Sequence, residues 1–547
     1  MRTHLTRPKK PADVLGLPMG ATYGRDRTTF RVFAPTADGV TLVLADEPAG
    51  GEGLQEIACT AVGRGIHEAV VAGDLAGRYY AYRLSGRGFD PRREIVDVYA
   101  VCAQNRFSRS LIVDLSATDP PGFRAHPFDR PARPTDAVIY ELHVRDFTIH
   151  PSGGIRQRGK YLALTERGTH LRGSPPIRTG LDHLVEMGVT HVQLLPVQDF
   201  DNDETQNAYD WGYMPVCLNS PEGWYATSAA GPARIAELKA AIQALHEAGI
   251  GVILDVVYNH TAPRASFDRL APGYYFRKDR RGRLANGSGC GNEFASQRPM
   301  ARKFILDSVT FWATEYRVDG FRFDMMALID IDTMKRVREA LRQIDPQILV
   351  YGEPWTVGKT PLRRTSCKRR VAGTGIGTFN DAFRDAIKGE RDGGEAGFVQ
   401  SGERAEGVRR GLAGVAEDWP TRPAETVNYF ECHDNLTSWD KLLQTNPHTP
   451  VALRERMSRL AALILLTAQG VAFLHAGQEF GRSKRGSTNS YNQGDAINRI
   501  DWSLKRRRAG LCAYYRGLIG LRRAHPALRL SEREQVEARV SFPRPPS

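Results

Sequence analysis

Eight short apolar runs recur from about residue 136 onward, each separated from the next by a longer amphipathic or polar stretch. This alternation restricts the fold more than any other feature. The runs lie at 137–142, 190–195, 251–256, 318–323, 348–352, 376–380, 426–430 and 471–475. Near-continuous apolar segments of this length suit strands buried on both faces. The clearest intervening helix is 232–249, with Ile235, Leu238, Ile242 and Leu245 on one face and Gly249 as its stop. Eight strand–helix units predict an α/β chain closed into a (β/α)₈ TIM barrel. An open doubly wound sheet is the competing arrangement, because the sixth run is weakly marked.

The chain before these runs reads differently. Residues 1–14 are polar and contain prolines, which predicts a loose tail. Alternation from Thr28 to Leu44, interrupted by Pro35 and Gly39, predicts a β-hairpin, and Gly77–Leu84 predicts a further strand. Residues 15–116 therefore form a small all-β module, with a Pro-rich linker at 120–134. The barrel is expected within 117–525.

Composition excludes several function classes. Hydrophobic residues make up 41% and charged residues 25% of the 547, as in ordinary globular chains. The net charge of +13 raises the question of a nucleic-acid partner. The basic residues, however, fall in short clusters such as 278–281, 368–370 and 505–508, with no nucleic-acid-binding signature. No nucleic acid is expected. The seven cysteines are odd in number, widely spaced and never C-x-x-C, so neither a disulfide framework nor a zinc site is expected. No apolar run reaches the ~18 residues of a membrane span, and the first residues lack a secretory apolar core. A cytoplasmic protein is the expectation.

Acidic residues follow several runs directly, where a barrel places its catalytic face. Asp255 precedes Asn259 and His260; Arg322 and Asp324 sit together; Glu353 precedes Trp355; His433, Asp434 and Asn435 are consecutive. Four acidic strand ends, two with a neighbouring histidine, are hard to ascribe to accident. Tyr209, Trp211, Tyr213, Trp224 and Tyr225 crowd one loop, and aromatic faces are suited to stacking on sugar rings.

The segments DVVYNH, GFRFD, GEPW and CHDN resemble the short motifs of glycoside hydrolase family 13, the α-amylase clan. YDWGYMP (209–215), SPEGWYAT (220–227), NGSGCGNE (286–293) and ECHDNLTSWDKL (431–442) resemble type I pullulanases more closely. The likeness runs from about residue 15 to 525. It implies a retaining endo-hydrolase of α-1,6 branch points in pullulan, amylopectin or glycogen. It also implies that the β-module is starch-binding. Asp324 would be the nucleophile, Glu353 the acid/base and Asp434 the third carboxylate. Tyr209, Trp211, Asp255, His260, Asn292, Arg322, Trp355, His433 and Asn435 would hold substrate, Tyr209 by stacking and His260 and His433 by donating to the sugar. No cofactor is implied; calcium is chemically compatible with the carboxylate-rich loops, but no calcium-loop motif occurs.

The resemblance is incomplete at Asp210, where the family usually shows Asn, and at Gln478, where it shows Glu. An isoamylase-like hydrolase, and a non-catalytic glucan-binding barrel, are the alternatives. The family's C-terminal β-sandwich is expected to be missing, with 526–547 as its remnant. The helix around 506–524 would then expose an apolar flank.

Overall fold

The computed structural model describes residues 16–104, 109–263, 265–415 and 422–542. The tail expected at 1–14 lies outside them. Eight parallel strands close into a barrel: β1 (Val138–Leu142), β2 (His191–Leu194), β3 (Gly251–Val256), β4 (Gly320–Phe323), β5 (Leu349–Gly352), β6 (Gly377–Phe379), β7 (Thr426–Asn428) and β8 (Val471–His475). β8 pairs with β1, so no sheet edge remains exposed. Every expected run supplies one strand, and the weak sixth is only three residues long. Its weakness has a structural basis: Gly377 faces Tyr351 on β5, and a Cβ there would stand 2.9 Å from the tyrosine's own Cβ. A strand that must admit a neighbour's aromatic ring carries little apolar signal of its own.

The helix α1 (Ala233–Glu247) buries Ile235, Leu238, Ile242 and Leu245 completely. Four such fully buried aliphatic side chains contribute roughly 1.5–3 kcal/mol each relative to exposure. Gly249, at φ +74°, turns the chain into β3.

The module is a sandwich of two four-stranded antiparallel sheets. One runs 20–22, 27–33, 66–72, 60–63 and the other 55–58, 39–45, 79–85, 110–111. This corrects the expected hairpin: 27–33 and 39–45 lie in different sheets. Arg27–Phe33 pairs with Ile66–Ala72, and Gly39–Ala45 pairs with Tyr79–Ser85. Both strands point alternate apolar residues, Phe30 and Val32 from one and Leu42 and Leu44 from the other, into one core. Side-chain alternation is the same for paired and for facing strands, so the pattern alone does not separate them.

The linker is packed rather than free. Phe123 and His126 are buried under the N-terminal end of the barrel. His126 bonds His246 (2.8 Å), which bonds Asp319 (2.7 Å) at the start of β4, and Arg130 reaches the same carboxylate at 2.8 Å.

The end of the chain also departs from expectation. Described residues after 525 form a turn (Pro526–Leu528) and a helix (Arg533–Arg539), not β-structure. They are tied to the barrel: the Gln469 side chain donates to Ala527 and accepts from the Leu530 amide, both at 2.8 Å. The preceding helix, α2 (Ala509–Ala524), buries Leu511, Tyr515, Leu518 and Ile519 against the chain's own residues. Of its large apolar residues only Leu521 is clearly exposed, at 42%. The segment is held because Arg522, fully buried, donates to the carbonyls of Ala468, Gly470 and Leu528 at once.

Candidate active site

Strand register builds the floor of the site. Asp255 on β3 lies opposite Arg322 on β4, which lies opposite Tyr351 on β5. Asp324 follows Arg322 by two residues, so both side chains project to one side of the strand. The Arg322 guanidinium then binds three carboxylates: Asp255 at 2.9 Å, Asp324 at 3.0 Å and Glu353 at 2.6 Å. All four residues are buried. Asp324 also accepts from the Asn259 amide at 2.6 Å, and Glu353 from the Met325 backbone at 2.9 Å. Met325 holds φ at +36°, an unfavourable conformation for a residue with a Cβ, imposed where Asp324 and Glu353 meet.

Burial of so much negative charge around one cation raises two of these carboxyls. Burial, reinforced by Asp324 and Asp434, raises Glu353 to about 8 although Arg322 opposes the shift. Burial raises Asp255 to about 7, again against Arg322. On the far side of the mouth, burial disfavours charge on His433, but Glu141 and Asp434 outweigh it and lift the imidazole to about 9. Glu141, at the end of β1, accepts from both His433 Nδ1 (2.8 Å) and the His433 backbone amide (2.6 Å). His433 Nε2 is thereby turned toward Asp434, 3.6 Å away. Asp434 has the most exposed of these carboxylates, its side chain 48% accessible.

The structure brings Asp324, Glu353, Asp434, Arg322 and His433 to one mouth, with half-buried Trp355 beside it, its ring 6.4 Å from that of Phe379. Trp211 meets the His433 ring edge-on at 4.9 Å, and half-buried Tyr209 bonds Asp146 at 2.8 Å. Four residues expected to hold substrate are placed in the walls instead. His260 is fully buried, Nδ1 against Asn259 (2.5 Å) and Nε2 against the Tyr213 carbonyl (2.7 Å), so neither nitrogen is free to donate to a sugar. Asp255 spends its oxygens on Arg322 and on the Tyr213 hydroxyl at 2.7 Å. Asn292 holds the Thr261 backbone through both its N–H and its C=O. Asn435, at φ +64°, donates to Asp392 at 3.0 Å. Short polar side chains beside a motif look alike in sequence whether they touch ligand or pin a loop.

Glu141 and Lys484 escaped the sequence reading as site residues, and Tyr213 figures there only as one of the aromatic residues of its loop. Tyr213 stacks on His433 at 5.2 Å, and Lys484 donates to the His433 carbonyl with its ammonium 4.7 Å from the Trp211 ring centre. Glu141 carried a signal: a lone acid inside the apolar run VIYEL points into the barrel and needs a partner there.

Among the described residues, one group, Asp199, Glu204 and Glu222, has the spacing of a metal site. Arg234 already sits within it, 2.6 Å from Glu204 and 3.8 Å from Asp199, while Glu222 accepts from the Phe200 and Trp224 amides. A guanidinium supplies the positive charge that a cation would bring. All seven cysteines are free thiols, and no helix among the described residues is long and apolar enough to cross a membrane.

Residues 18–100 match the family Carbohydrate-binding module 48 (Isoamylase N-terminal domain). The chain is 41% identical to the pullulanase of Bacillus subtilis (strain 168) over 539 residues, 95% of this chain and 73% of that protein. It is 30% identical to pullulanase 1, chloroplastic, of Arabidopsis thaliana, covering 89% of this chain and 61% of the other. Among solved structures, the pullulanase from Bacillus acidopullulyticus superposes with a TM-score of 0.92 at 43% identity, over 96% of this chain and 66% of that one. The pullulanase from Paenibacillus barengoltzii in complex with maltohexaose and α-cyclodextrin gives a TM-score of 0.93 at 43% identity, over 97% of this chain and 84% of that one.

Proposed function

The chain belongs to the pullulanase family, and on that premise we propose that it hydrolyses α-1,6 branch points of α-glucans with retention, using Asp324, Glu353 and Asp434. One observation carries the mechanism: a single guanidinium straddles Asp324 and Glu353 while burial keeps Glu353 protonated to about 8. Two carboxyls sharing one small cation lie close together, as retention requires. Glu353 gives its proton to the glycosidic oxygen as the C1–O bond breaks, and Asp324 attacks C1 to form a glycosyl ester. Glu353, now ionised, takes a proton from water, whose oxygen attacks C1 and releases Asp324. Asp434 and the cationic His433 grip the sugar hydroxyls and favour the flattened ring of the transition state. Asp255, His260, Asn292 and Asn435 act as positioning residues; Tyr209, Trp211 and Trp355 border the sugar. No step needs a metal or cofactor.

The substrate reading draws on relatives named as pullulanases and on a related structure with maltohexaose bound. We place the protein in the cytoplasm because all seven thiols are free. Incubation with pullulan tests the linkage. Maltotriose as the main product is expected; panose or mixed α-1,4 fragments would assign the barrel to another branch of its clan.

A further inference from the structure

A second feature of the catalytic face has no part in the reaction above. A cavity of about 360 Å³ opens beside the loops that follow β3, β4 and β5. It is lined by six basic side chains against two carboxylates. Two of the cations are neutralised locally: Arg302 pairs with Asp330 at 3.1 Å and Arg364 with Asp332 at 2.8 Å. Arg277 is spent within the protein, on Glu293 and the Leu328 carbonyl. The other three differ. Arg298 donates only to carbonyls, those of Gly273 and Tyr274. Lys278 and Arg363 form no ion pair with any described residue. Three positive charges thus line one concavity with no carboxylate among the described residues paired to them.

We propose that this cavity binds a phosphate monoester, on a free sugar phosphate or on a phosphorylated glucosyl unit of the glucan itself. A phosphate monoester carries about −1.5 to −2 charges at neutral pH and three acceptor oxygens. That matches three such donors better than a carboxylate, with one charge and two oxygens. Arginine presents the planar fork that phosphate oxygens accept in pairs, and lysine adds a point charge. The volume admits a sugar as well as the phosphate. Its position supports the glucan-borne case, which rests on the debranching reading. Arg363 lies in the loop that begins at Glu353, and that loop is tied to the β3 side of the cavity by the Thr360 hydroxyl, which donates to Glu293 at 2.7 Å. A phosphate on another glucosyl unit of the same glucan would then be held by the loop that also carries Glu353.

The test uses the full chain and the double charge reversal Lys278→Glu with Arg363→Glu, residues outside the catalytic machinery. Calorimetric titration with glucose 6-phosphate, and with inorganic phosphate, reads binding without reference to hydrolysis. Wild type is expected to bind glucose 6-phosphate with an affinity that falls as salt rises. The variant should bind at least tenfold more weakly while cleaving neutral pullulan at an unchanged rate. Branched dextrin, phosphorylated or stripped by phosphatase, separates the two sources. A several-fold loss of kcat/KM in the variant, confined to the phosphorylated dextrin, assigns the cavity to the glucan-borne ester. Loss of glucose 6-phosphate binding without that discrimination assigns it to a soluble ester. Absence of binding by any phosphate probe, or equal binding by wild type and variant, overturns the proposal. Failure on pullulan with phosphate binding intact would count against the debranching reading alone.

Discussion

At the scale of single residues, the site depends on how one arginine divides its charge. Arg322 bridges Asp324 and Glu353, so both acids are held in one place while burial keeps Glu353 protonated at neutral pH. Glu353→Gln and Asp324→Asn keep the shape and remove, respectively, the proton donor and the nucleophile. Each should lower kcat by about a thousandfold or more while glucan binding persists; near-normal turnover in either would overturn the assignment. The wild-type rate should hold through neutral pH and fall as pH rises through about 8, where Glu353 loses its proton. Glu141 works one step behind. Because it accepts both the imidazole and amide N–H of His433, it fixes the ring and sustains its charge. His433 is raised to about 9, against ~6.5 for an unfolded histidine. A raised folded value means the pair's stabilisation is complete below about 6.5 and is lost as pH climbs through about 9. Glu141→Gln should flatten the pH dependence of Tm over that window. It should also cost more activity at pH 8 than at pH 6; an unchanged ratio would leave Glu141 a purely structural residue.

At the scale of elements, the C-terminal helix shows how buried polarity fixes a segment. Arg522 lies wholly inside, its donors spread over carbonyls from the approach to β8 and from the closing turn. Burial, with the neighbouring Arg529 adding to it, pulls its guanidinium down to about 9. Such a group is retained because each carbonyl it satisfies would otherwise be buried unpaired, at about 1–3 kcal/mol apiece. Arg522→Met should therefore lower stability by several kcal/mol, visible as a drop in Tm. Leu521→Ser, one residue away but exposed, should change it little. Equal effects would mean that the helix end is not anchored by these bonds. The positions are adjacent and both lie in an amphipathic pattern, so only burial separates them.

At the scale of the molecule, the surface carries an apolar stripe where the last two long helices lie side by side. Leu453, Leu460 and Leu463 project from Val451–Thr467 at 41%, 37% and 38% exposure, on a helix that packs against α2. Their spacing puts them on one helix face. Contiguous exposed leucines promote self-association. Leu460→Gln with Leu463→Gln should raise the concentration at which light scattering first detects aggregates, with pullulan hydrolysis unchanged. No shift in that threshold would show the stripe to be inert.

The sequence by itself determined the class of fold and the residues that carry chemistry. Eight apolar runs could not all be buried except in a sheet covered on both faces, and acids directly after them had to gather where parallel strands end. Asp324, Glu353 and Asp434 were legible for that reason, together with their family likeness. What the tertiary structure decided is how neighbouring polar residues divide between cavity and wall. His260 faces inward and His433 faces the mouth, though each follows a strand in a similar motif, because Tyr213 and Asn259 occupy the first and Glu141 orients the second. The same limit explains the mistaken hairpin at Thr28–Leu44 and the unforeseen packing after residue 525. Alternation records which side chains are buried, whereas the partner that buries them comes from a distant part of the chain.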